Sequence, residues 1–158
     1  MAFDFNADDI FQIAEQIEEN GALFYRKASE AVTDEHYKKL LTELSAMEVD
    51  HRKIFAAMRA DLAGREKGAT VFDPMDESAQ YLKALADLRV FHEKQIDMSS
   101  IKSVLLSALG AEKDSIVFYL GMKDLVPEKL GKEKIDAIID EEKKHIKLIG
   151  GELLALGK

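Results

Sequence analysis

The 158-residue chain contains no cysteine, which excludes disulfides, thiolate metal sites, iron–sulfur clusters and cysteine nucleophiles. Nine glycines and two prolines are too few for the many turns of an all-β protein, so long helices are expected. No apolar run approaches the length of a membrane span, and the N-terminal Met1-Ala-Phe-Asp-Phe5 lacks the basic-then-apolar pattern of a secretory signal. Positive charge is also scarce. Twenty-two Lys and Arg stand against 30 Asp and Glu, a net charge of -8, whereas a nucleic-acid partner needs a basic face. Neither membrane nor nucleic acid is an expected partner, and a cytoplasmic location is the expectation. What remains, 47% apolar and 33% charged residues, describes a globular chain of single-domain size. Such a chain buries roughly 70% of the surface it exposes when unfolded.

Helix signals divide the chain clearly. Asn6 is an N-cap candidate, with Phe5 and Ile10 in the two hydrophobic-staple positions and Asp9 at N3. Ile10, Phe11, Ile13, Ala14, Ile17, Gly21, Phe24, Tyr25 and Ala28 then recur at helical spacing to about Ala31. Thr33 is expected to cap a second helix, with Asp34 and Glu35 in its first turn, where the helix dipole favours acids. Its apolar stripe is Leu40, Leu41, Leu44, Met47, Ile54, Phe55 and Met58, and it should end near Gly64. So short a connection makes the pair an antiparallel hairpin, residues 7–63. A crossover, residues 64–97, reads as loop to about residue 76 and as a short helix from Glu77 to Phe91. A second hairpin, residues 98–156, holds a helix from the Asp97–Ser100 region to about Leu125. Pro127 and Gly131 break the chain before a last helix, Lys132 to Leu156. The fold class is all-α: a four-helix bundle of two hairpins joined by one long crossover.

The two hairpins repeat each other at a single offset of 94 residues. Ala14 corresponds to Ala108, Glu18 to Glu112, Phe24 to Phe118, Tyr25 to Tyr119, Glu48 to Glu142 and His51 to His145. Apolar positions follow, Leu41 with Ile135, Leu44 with Ile138 and Ile54 with Leu148, with no gap across the inter-helix turns. Glu18, Glu48, His51, Glu112, Glu142 and His145 all fall inside the apolar stripes. Glu15, Glu19, Glu43 and Glu141 read as solvated by comparison.

A carboxylate removed from water costs several kcal/mol unless a countercharge meets it, and four converging in one core repel one another. No Lys or Arg lies in the stripes beside them. Cations must supply the charge. Four carboxylates and two imidazoles, without sulfur, suit first-row divalent metals such as iron or manganese, with zinc a further occupant. Residues at i and i+3 are neighbours on a helix, so Glu48 and Glu142 can each bridge two ions while His51 and His145 bind one apiece. Glu18 and Glu112 then complete one ion each. This is the ligand plan of di-metal carboxylate bundles. Tyr25 and Tyr119 lie two turns beyond a ligand Glu on the same face. Either they are core aromatics with satisfied hydroxyls, or they hydrogen-bond a bridging carboxylate and orient it. Phe24 and Phe118, with Met47, Met58 and Met122, read as core packing, and His36 and His92 as solvated.

Ala14-x-x-x-Glu18 with Phe24-Tyr25, Met47-Glu48-Val-Asp-His51, Ala108-x-x-x-Glu112-Lys113-Asp114 with Phe118-Tyr119, and Glu141-Glu142-Lys-Lys-His145 together resemble the rubrerythrin-type branch of the ferritin-like superfamily. The resemblance spans about residues 7 to 156. It implies a ferritin-like bundle with two iron ions in a non-haem centre that reacts with hydrogen peroxide or dioxygen. Glu18, Glu48, His51, Glu112, Glu142 and His145 would act through the metals, with Tyr25 and Tyr119 behind them. Two departures stand out. Rubrerythrins proper append a rubredoxin module with a four-cysteine iron, so an external electron donor, such as a separate rubredoxin, is expected here. They also carry an additional Glu one turn after the third-helix ligand, where this chain has Ser115. The expected activity is peroxide reduction in oxidative-stress defence. Ferroxidase or iron-handling chemistry, a di-manganese catalase and a non-catalytic metal-binding bundle are the alternatives. A homodimer is the expected assembly.

Overall fold

The structure, a computed structural model, describes residues 7–62, 80–82, 84–85, 98–126 and 131–157. Four long helices carry the fold: α1 (Ala7–Ala31), α2 (Glu35–Ala60), α3 (Ile101–Leu125) and α4 (Lys132–Leu156). Residues 80–82 and 84–85 of the crossover are also helical. Among the described residues there is no strand, and no helix is long and apolar enough to cross a membrane. The 94-residue offset carries the bounds of α1 onto those of α3. The expected staple at Phe5 and cap at Asn6, the loop after Gly64, most of the Glu77–Phe91 helix, His92 and Pro127 lie outside the described residues.

α1 packs along α2, and α3 along α4, as two hairpins that face each other. One end of the core collects Ile10, Phe11 and Ala14 from the start of α1. Phe55 and Met58 from the end of α2, Phe118 and Met122 from the end of α3, and Ile135 and Ile138 from the start of α4 join them. The other end holds Phe24 and Ala28 of α1, Leu41 and Leu44 of α2, Val104 and Leu105 of α3, and Ile149 of α4. α2 therefore ends where α3 ends, and α3 begins at the opposite end of the bundle. The two helices run parallel, which obliges the crossover between them to travel the length of the bundle. Among the described residues of that crossover, Leu82 is fully buried in the first core cluster and Leu85 packs against it.

Two boundaries and the facing of Ile54 differ from the sequence reading, whereas the last helix runs from Lys132 to Leu156 as expected. The N-cap of α2 is Asp34, not Thr33. Asp34 adopts an extended backbone, and its carboxylate accepts from the backbone N–H of His36 at 2.8 Å and of Tyr37 at 3.4 Å. A carboxylate meets both the orphan amides and the positive end of the helix dipole, which a hydroxyl does only in part. α2 stops at Ala60, short of Gly64, because Leu62 folds back into the core with its N–H on the Arg59 carbonyl at 3.2 Å. α4 starts after Gly131, which has φ of 105° and no side-chain cap. A Cβ there would lie 2.9 Å from the Met58 methyl, so glycine serves both the left-handed backbone and the close approach. Ile54 is exposed, as is its repeat partner Leu148. The buried stripe of α2 steps through Leu41, Leu44, Glu48, His51, Phe55 and Met58, and Ile54 lies about 100° around the helix from Phe55.

Candidate metal centre

Between the two apolar ends lies a polar layer. Glu18 comes from α1, Glu48 and His51 from α2, Glu112 from α3, and Glu142 and His145 from α4, all at most 2% exposed. Each sits about midway along its helix, so no helix terminus is near enough to supply partial charge. The i, i+3 spacing of Glu48 with His51 and of Glu142 with His145 places each pair on one face, turned inward by the apolar residues before and after it.

The structure brings all six side chains together in two overlapping groups. Glu18, Glu48, His51 and Glu142 offer donor atoms within 4.8 Å of one another, as do Glu48, Glu112, Glu142 and His145. Glu48 and Glu142 belong to both groups. Each imidazole turns Nδ1 inward. His51 Nδ1 lies 3.0 Å from Glu142 Oε1 and 3.5 Å from Glu18 Oε2. His145 Nδ1 lies 3.1 Å from Glu142 Oε2, 3.2 Å from Glu48 Oε1 and 3.3 Å from Glu112 Oε1. The two rings stack with centroids 5.7 Å apart.

Protons and cations compete for these groups. Burial, reinforced by Glu48, holds the Glu18 carboxyl well above the usual range. Burial and the nearby Glu142 push Glu112 up to about 8. Burial alone would lower both imidazoles, but the surrounding carboxylates outweigh it. Glu142, Glu18 and Glu48 raise His51, and Glu112, Glu142 and Glu48 raise His145 to about 12. Burial pushes Glu142 upward too, yet the adjacent Glu112, His145 and His51 leave it below its ordinary value.

The two tyrosines join the hairpins. Tyr25 on α1 donates its hydroxyl to Glu112 on α3, and Tyr119 on α3 donates to Glu18 on α1. Both phenols are raised well above their usual pKa, first by burial and then by these carboxylates. They therefore hold their protons and fix one oxygen of each acceptor. The hydroxyls do bond cluster carboxylates, but the acceptors are Glu112 and Glu18 rather than the shared Glu48 and Glu142 expected of a bridging pair.

Other expected positions fall elsewhere. Phe24, Phe118, Met58 and Met122 are buried core residues. His36 is exposed and meets Glu152 at 2.9 Å. Ser115 is buried, but its hydroxyl donates to the Ala111 carbonyl one turn back at 2.9 Å and supplies no atom to either group. Glu15 pairs with Arg59 at 3.1 Å, and Glu19 and Glu43 are about half exposed. Glu141 corrects the sequence reading. Half exposed, it nevertheless reaches across to His51 Nε2 at 2.6 Å. Met47, expected in the core, lies only partly buried at the edge of the layer, with its sulfur 3.3 Å from His145 Nε2. The signal for both was present in the repeat, since 47 and 141 are corresponding positions directly before a cluster Glu.

The donor set fits a pair of divalent cations. Glu18 Oε2, Glu48 Oε1, Glu112 Oε2, Glu142 Oε2 and His145 Nδ1 are buried without a hydrogen-bond partner, an arrangement costly for each atom unless an ion meets it. Four carboxylates match the charge of two such ions, and hard oxygen with imidazole nitrogen is the ligand chemistry of iron, manganese and zinc.

An all-α bundle with this crossover and this central layer is ferritin-like, and its buried Glu/His cluster is of the di-metal carboxylate kind. A solved structure from Thermotoga maritima, provisionally described as a ferritin-like diiron-carboxylate protein, is similar over 97% of this chain and 97% of its own, with 26% identity and a TM-score of 0.68. No family model and no curated protein matches the chain.

Proposed function

We propose that this protein is a di-iron oxidoreductase of rubrerythrin-like character that reduces hydrogen peroxide to water. One observation carries the reading: six buried acid and imidazole side chains converge in two groups that share Glu48 and Glu142, with five inward-facing polar atoms unpartnered. Glu18 and His51 would hold one ion, Glu112 and His145 the other, and Glu48 and Glu142 both. When bound, two ferrous ions supply one electron each to the peroxide. The chain's own groups set the conditions for this. The Tyr25 and Tyr119 hydroxyls keep their protons and orient Glu112 and Glu18. The apolar layers on either side exclude bulk water, which strengthens every charge interaction between them. No cysteine-bound iron is possible within these 158 residues, so re-reduction would come from a donor outside them, for which a rubredoxin has suitable chemistry.

The test is to load the protein with iron, reduce it without oxygen, and follow ferrous oxidation after rapid mixing with peroxide or with air-saturated buffer. Faster oxidation by peroxide, at two equivalents of iron per chain, is the expected result. Preference for dioxygen with many Fe(II) turned over per chain would make the protein an iron-oxidising one. Donor-free disproportionation of peroxide by a manganese-loaded form would make it a catalase. Tight metal binding without redox turnover would leave a structural site.

A further inference from the structure

We propose that the two metal positions are unequal, and that the one built on Glu18 and His51 retains its ion more tightly than the one built on Glu112 and His145. The inference rests on the di-metal reading above and concerns the outer edge of the site, where the two halves stop matching. Both histidines present Nδ1 to the cluster, and the distinction lies in what holds Nε2. Glu141 Oε2 on α4 stands 2.6 Å from Nε2 of His51 on α2. At the corresponding place, Met47 Sδ on α2 stands 3.3 Å from Nε2 of His145 on α4. Positions 47 and 141 are repeat partners, and each reaches to the histidine of the opposite hairpin. The geometry is thus two-fold in its reach and one-sided in its chemistry.

A carboxylate is a strong acceptor and a thioether a weak one. With Glu141 accepting from Nε2–H, His51 is fixed in the tautomer whose Nδ1 lone pair points at the cation. Its ring orientation is held, and the anion behind it makes Nδ1 a better donor. His145 has in Met47 Sδ only a weak, uncharged acceptor, which holds its tautomer and ring less firmly and puts no anion behind Nε2. Such outer partners change metal affinity by about 10- to 100-fold, which sets the expected gap between the two positions. Glu141 is a positioning residue, acting only through His51.

Metal-free protein titrated anaerobically with Co(II) separates the possibilities, because absorption reports ligand geometry and calorimetry reports stoichiometry. The wild type should bind two Co(II) per chain in two steps and lose them to a chelator at two rates. Glu141→Met should weaken the tighter step by about 10- to 100-fold and bring the two steps together while leaving the total at two. Met47→Glu should strengthen the weaker step, and Glu141→Gln, which keeps a neutral acceptor, should fall between wild type and Glu141→Met. The Co(II) spectrum of the first equivalent should change in Glu141→Met and not in Met47→Glu. Two steps insensitive to both substitutions would overturn this inference and leave the di-metal reading standing. Failure of the wild type to bind Co(II) at all would overturn that reading, and this inference with it.

Discussion

The first hairpin and the second differ most at their turns and at the rim of the polar layer, and least on the bundle axis. α1 and α3 have the same length and the same register of Ala, Glu, Phe and Tyr, and each tyrosine bonds the glutamate of the opposite hairpin. The described parts of the turns differ. α2 starts under a carboxylate cap at Asp34, whereas α4 starts from a left-handed Gly131 with no side-chain cap. At the rim, Glu141 stands where the first hairpin has Met47. The difference teaches where the repeat is under physical constraint. A residue facing the axis must match its counterpart because both serve one cluster. A turn need only reverse the chain, and several chemistries do that.

Breaking the axis should cost most. Glu48→Ala or Glu142→Ala removes a carboxylate common to both groups, and each should reduce bound metal from two ions per chain to none in elemental analysis. Glu19→Ala, at a half-exposed residue outside both groups, should leave two.

A second large effect is the pH response of the metal-free bundle. Glu112 rises from an ordinary 4.5 to about 8 on folding, so the folded state holds a proton that the unfolded chain has released. Its stabilising contribution is full below 4.5 and is lost as pH rises through 8. His145 acts in the same direction, its contribution full below 6.5 and lost toward 12. The melting temperature of metal-free protein should therefore fall between pH 5 and 8. Metal loading near pH 7 should release protons, since the raised imidazoles and Glu112 must give theirs up to bind a cation, measurable by calorimetry in buffers of different ionisation enthalpy. A metal-free protein that gains stability over that range would contradict the proton balance.

Tyr25→Phe and Tyr119→Phe sharpen the comparison between halves. Each removes a hydroxyl bonded to a buried carboxyl, and each should cost about 1–3 kcal/mol in denaturant unfolding, by similar amounts. The turns should separate the halves by less. Gly131→Ala meets both the positive φ and Met58, and should cost about 1–2 kcal/mol. Asp34→Ala loses a helix cap and should cost about 1 kcal/mol.

The axis was legible in the sequence because burial of a charged residue is rare, and six such residues recurred at one offset. Helical spacing within a single chain segment was enough to turn Glu18, Glu48, His51 and their partners inward. It was insufficient for contacts that depend on reach between helices. Glu141 sits on a half-exposed face of α4, and only the packing of α4 beside α2 brings its carboxylate to His51. Ile54 failed for the complementary reason: an apolar residue adjacent to a core position was assigned to the stripe although its own direction is outward. The Asp34 cap turned on which of two neighbouring side chains meets the free amides, a matter of backbone angle rather than residue type.

The most direct test of the central claim is the metal content of protein purified from its native host, counted per chain by elemental analysis alongside a Glu142→Ala variant. The account predicts two iron ions per wild-type chain and none in the variant. Wild-type protein without bound metal, or with a content unchanged by the substitution, would contradict it.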